Sequence, residues 1–84
     1  MSLLTDNIIP REHGKVFGTN ANHETELTEI KNKLLKADGI TQVQINHSVF
    51  PKEFTVFTDK LISVEEIENI VKSTGFNAIP KALI

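Results

Sequence analysis

A serine followed three residues later by a glutamate marks where a helix begins. In Ser63-Val64-Glu65-Glu66, the Ser63 hydroxyl and the Glu66 carboxylate are spaced to satisfy each other's backbone amides. Ile62 and Ile67 flank the motif at the positions of a hydrophobic staple, which sets the angle at which the chain enters the helix. Val64, Ile67, Ile70 and Val71 then fall on one helical face, Lys72 sits in the last turn and Gly75 supplies the stop. A helix with one apolar stripe must bury that stripe against another layer, and a stretch of 84 residues has room for one such core.

The rest of the chain alternates between the periods of strand and helix. Lys15 to Thr19 is short, contains β-branched and aromatic residues and ends in the polar cluster Asn20, Ala21, Asn22, as a strand entering a loop does. From about His23 to Ala37, the residues Leu27, Ile30, Leu34 and Ala37 recur at helical spacing. Glu24, Glu26 and Glu29 precede Lys31, Lys33 and Lys36, the order the helix dipole favours, and Gly39 is expected to end the helix in the left-handed conformation. Ile40 to Asn46 sets Val43 and Ile45 against Gln42 and Gln44. Glu53 to Thr58 sets Phe54 and Val56 against Thr55 and Phe57, so these two runs form a hairpin through residues 47–52. Phe76 to Leu83 is extended again, and Pro80, which cannot donate a ladder hydrogen bond, assigns it to a sheet edge.

The order β-α-β-β-α-β with right-handed crossovers specifies a ferredoxin-like α+β sandwich: a four-stranded antiparallel sheet with two helices on one face. Residues 15–84 form this domain, and residues 1–14, with Leu3, Leu4, Ile8 and Ile9 apolar and Pro10 and Gly14 as breakers, read as a tail or an extra strand. The length allows a single core. Cysteine is absent, which removes disulfides, thiolate metal sites and cysteine nucleophiles together. Nine Lys and Arg against eleven Asp and Glu give a net charge of −2 and no general pull toward nucleic acid or anionic lipid. The first ten residues carry no basic region, cleavage site or long apolar run, which predicts a cytoplasmic protein with no membrane segment. No nucleophile elbow, Walker loop or dinucleotide fingerprint is present, so no enzymatic activity is expected. Asn46-His47-Ser48 fits a glycosylation sequon but is read as turn chemistry.

From about Val16 to Ala82 the chain resembles the heavy-metal-associated domain, the small module of soluble copper chaperones and of the N-terminal tails of metal-pumping P-type ATPases. In that family the first strand ends in Gly-Met-Thr-Cys-x-x-Cys, the first helix in a Gly-Val step and the second in a Gly-aromatic step. The corresponding pieces here are Gly18-Thr19-Asn20-Ala21-Asn22-His23-Glu24, Gly39-Ile40 and Gly75-Phe76. The resemblance implies the ferredoxin-like fold and a metal-carrying role, and it isolates the departure, which is loss of the cysteine pair. Counting from Gly18 puts Ala21 and Glu24 in the cysteine positions, whereas counting back from Gly39 puts His23 and Glu26 there. Either way the soft donors that select copper(I) are gone, and imidazole with carboxylate favours zinc or nickel.

Three roles follow. The first is a small non-enzymatic binding module that meets a protein partner or a second copy through the open sheet face or an exposed edge strand. Phe17 and Phe57 are the aromatic candidates for that surface. The second is binding or transport of a metal, zinc or nickel, by His23, Glu24 and Glu26 at the start of the first helix. These fall short of the four ligands of a structural zinc site, and neither His13 nor His47 stands at a recruiting spacing. The plainer reading is that Glu24 and Glu26 stabilise the first turn and His23 is solvated. The third is single-stranded RNA binding on the sheet, suggested by Lys52-Glu53-Phe54-Thr55-Val56-Phe57, but Glu53 and the acidic balance disfavour it.

Overall fold

The alternating runs form strands and the 3.6-residue runs form helices in the computed structural model, which describes residues 8–9 and 14–83. In chain order the elements are β1 (Ile8–Ile9), β2 (Gly14–Thr19), α1 (Glu24–Leu35), β3 (Ile40–Asn46), β4 (Glu53–Thr58), β5 (Ile62–Ser63), α2 (Val64–Lys72) and β6 (Ala78–Leu83). The main sheet has the order β3-β4-β2-β6, every neighbouring pair antiparallel. β2 and β3 therefore run parallel with β4 between them, and β4 and β6 run parallel with β2 between them. These two interleaved βαβ units are the ferredoxin-like fold. β6 lies at an edge, as Pro80 requires. β1 pairs with β5, Ile8 opposite Ser63 and Ile9 opposite Ile62, so part of the N-terminal segment is an extra strand. What was expected of residues 1–7 and 10–13 lies outside the described residues.

Both helices pack on one face of the sheet, α1 over β3 and α2 toward β6. Leu27, Ile30 and Leu34 of α1 and Val64, Ile67 and Val71 of α2 close over Phe17, Val43, Phe54 and Val56. Phe17 and Phe54 are cross-strand partners whose rings stack at a centroid distance of 5.4 Å, with planes 13° apart. This corrects the expectation that Phe17 belongs to an interaction surface, because its exposure is 0%. The register explains it: Lys15 and Phe17 pair with Val56 and Phe54 beneath the helices, while Gly14, Val16 and Gly18 pair with Phe57, Thr55 and Glu53 on the open face.

A register shift between Ile40 and Gln42 lets Ile40 and Val43, three residues apart, both face the core. At α2 the Ser63 hydroxyl accepts from the Glu66 N–H at 3.1 Å. The return bond is not formed, and Ser63 is already the terminal residue of β5 opposite Ile8. Asn46 Oδ1 accepts from the Ser48 N–H at 3.0 Å, an Asx turn that accounts for the sequon-like triplet. Among the described residues no helix is long and apolar enough to cross a membrane.

Candidate functional site

The loop from Asn20 to His23 is where the family resemblance would place a metal, and here it is tied down on three sides. The Thr19 N–H donates to the Lys52 carbonyl at 3.0 Å, which anchors it to the β3–β4 connection. The Asn20 side-chain oxygen accepts from the Asn77 N–H at 2.9 Å, which anchors it to the α2–β6 connection. Glu26 Oε1 accepts from the N–H groups of Asn22 at 3.1 Å and His23 at 3.2 Å, which closes the start of α1. Thr19 Oγ1 takes the Ala21 N–H at 3.2 Å, and Ala21 itself is fully buried.

These contacts decide what the loop can do. His23 stands at the N-cap of α1, with Glu24 and Glu26 in its first turn. Among the described residues no three His, Asp or Glu side chains group so as to hold a metal. The first way of counting puts one cysteine position, Ala21, inside the core; the second puts one on Glu26, whose carboxylate already caps the helix. With no thiolate in the chain, this donor set does not fit copper(I).

The same bonds hold Glu26 below the usual carboxylate range, His23 contributing most and Asn22 next. A lowered folded-state pKa gives stability that is fully present above the unfolded value near 4.5 and is lost as pH falls through the folded one. Glu26→Gln is therefore expected to be less stable than wild type at neutral pH, with the gap closing as the pH falls below the unfolded value and through the lowered folded-state one. Urea denaturation across that range checks it; a gap independent of pH would mean the charge is not what the amides recognise.

The open face of the sheet is closed by its own side chains. Phe57 is half-buried because its ring lies over Gly14, where a Cβ would stand 2.9 Å from Phe57 Cε2. Lys81 reaches across Gly18, where a Cβ would stand 3.3 Å from Lys81 Cε, to pair with Glu53 at 2.7 Å. Phe57 is thus on the face the sequence assigned to it, but its ring is engaged within the sheet. Phe54 and Val56 are core, so β4 offers the open face one partly covered aromatic rather than the two or three rings on which RNA-binding sheets stack bases.

The two sheet edges differ sharply. β6 carries Pro80 and Lys81, which blunt an edge. β3 reads Ile40-Thr41-Gln42-Val43-Gln44-Ile45-Asn46, with no charge, proline or glycine over its seven residues. Among the described residues nothing pairs with its outer side, so a row of backbone N–H and C=O groups is left for another strand. The uncharged run was visible in the sequence, but its position at an edge needed the strand order.

Neither a protein-family model nor a curated protein sequence matches the chain. Among solved structures, the yeast copper transporter domain Ccc2a, determined in solution in the apo and Cu(I)-loaded states, is similar. It is 18% identical with a TM-score of 0.72, over 83% of this chain and 96% of that one. At that identity the likeness establishes a shared ferredoxin-like fold.

Proposed function

We propose that this chain is a small non-enzymatic protein-binding module that takes its partner as an added strand on the free edge of β3. The observation that supports this is the contrast between edges: β6 is blunted by Pro80 and Lys81, while β3 is long, uncharged and, among the described residues, uncovered. Main-chain hydrogen bonds would supply affinity, and the alternating Gln42 and Gln44 on one side of the edge would read side chains of the incoming strand. Metal carriage has the similarity to a Cu(I)-loaded domain in its favour, but the chain has no cysteine and, among the described residues, no three His, Asp or Glu side chains group to hold a metal.

Selection of peptides from a random displayed library on the purified chain tests the proposal. Bound peptides are expected to be extended and alternating, to shift the amides of Ile40–Asn46, and to lose binding to a Gln42→Lys/Gln44→Lys variant. Peptides that map to any other surface would overturn strand addition. Zinc, nickel and copper(I) form the comparison arm. Shifts confined to residues 20–27, saturating at one equivalent and abolished by His23→Ala, would establish the metal role instead.

A further inference from the structure

We infer that one occupant of the β3 edge is a second copy of this chain, whose β3 runs antiparallel to the first across a twofold axis at Val43; this rests on strand addition as the mode of binding. A twofold interface must be complementary to itself. β3 meets that condition about Val43, because the identical residues Gln42 and Gln44 flank it on either side, clear of the register shift between Ile40 and Gln42. With Val43 opposite Val43, each Gln42 stands opposite the second copy's Gln44, and a carboxamide presents both donors and an acceptor to its counterpart. No charge lies anywhere on the strand, so the symmetric pairing brings no like charges together. Antiparallel pairing also keeps faces in phase, so the buried Val43 stays on the helix-covered side in both copies.

The helix layer fits the same arrangement. Four strands spaced about 4.8 Å apart span about 19 Å, and two helices about 10 Å in diameter cover that width. Joining the sheets at β3 therefore brings α1 against its symmetry mate. Lys33 and Ala37 of α1 line the groove toward α2. The flank of α1 turned the other way, over the β3 edge, carries Glu24, Thr28, Lys31 and Leu35. Leu35, 39% exposed, is the large hydrophobic residue that the described helices leave uncovered, and it lies on that flank. The assembly also stops at two, because only the blunted β6 edges remain at the ends of the joined sheet.

Sedimentation of the purified chain over a concentration series, with two paired variants, tests this. Wild type is expected to dissociate from dimer to monomer on dilution. Gln42→Lys/Gln44→Lys sets Lys opposite Lys in both symmetric pairs and should weaken association about tenfold or more, with a native amide spectrum. Gln42→Glu/Gln44→Lys sets Glu opposite Lys twice and should restore it. Equal loss in both variants would overturn the Val43-centred register. A wild-type chain that stays monomeric to about 1 mM would overturn the second copy as occupant. Strand addition itself then stands or falls on whether selected peptides still map to Ile40–Asn46 and lose binding with the two lysines.

Discussion

Phe17→Ala should lower the free energy of unfolding by about 3–5 kcal/mol, as truncation of a fully buried aromatic does. A chain of this length holds about 4–13 kcal/mol in total, so the variant should lose at least about a quarter of its stability. Phe17 is 0% exposed and stacks on Phe54 at 5.4 Å, and the cavity would open at the centre of the sheet, where β2 and β4 pair. Relaxation there is limited, because Leu27, Ile30 and Ile67, members of the same core cluster, are themselves buried. Phe57→Ala removes a half-buried ring over Gly14 on the other face and should cost about 1 kcal/mol. Chemical denaturation followed by circular dichroism compares them directly. Equal small losses would place Phe17 outside the core.

The two phenylalanines also show how far the sequence could be read. The order of the four main strands and two helices, the left-handed conformation of Gly39 and the edge position of the last strand were legible, because each depends on local chemistry: periodicity, turn preference and the missing N–H of Pro80; the first helix itself stops earlier, at Leu35 with Lys36 as its C-cap. The face to which Phe17 points was not legible. Gly14-Lys15-Val16-Phe17-Gly18 places a lysine in phase with the buried ring and glycines on the open side, so alternation of polarity points the wrong way. Lys15 is in fact 5% exposed, its ammonium reaching the Lys81 carbonyl at 3.2 Å. Only the register with Phe54 and Val56, a contact distant in sequence, settles the face.

The head of α1 shows the same division. That Glu24 and Glu26 would stabilise the first turn could be read from the dipole rule, and Glu26 does so with a specific pair of amides. That Asn20 would be tied to Asn77 could not, since the two lie 57 residues apart and nothing local pairs them. Those ties turn a loop that the family resemblance associates with metal into a structural corner. Among the described residues, β3 leaves the unpaired main-chain groups of an edge with no charge or proline on it.

The glycine just before that edge should be the other site of large effect. Gly39 has φ of 99° and Gly75 has φ of 95°, so alanine at either one meets the same backbone strain, about 1–2 kcal/mol. Their surroundings differ. A Cβ on Gly75 meets nothing within 4 Å, whereas one on Gly39 would stand 2.9 Å from Ile62 Cδ1 and 3.3 Å from Lys60 Cβ. Ile62 is 5% exposed, part of the core and in β5 opposite Ile9, so turning its Cδ1 aside disturbs core packing. Gly39→Ala therefore adds a packing cost to the backbone strain, for a total of about 2–4 kcal/mol against about 1–2 for Gly75→Ala. The Gly39 carbonyl also accepts from the Asp59 N–H at 2.9 Å, so a shift there loosens the pairing of β3 with β4 at its first residue. Thermal denaturation of the two variants side by side separates packing from strain. Equal losses would mean that Ile62 yields freely, and that the turn into β3 is held by glycine's backbone alone.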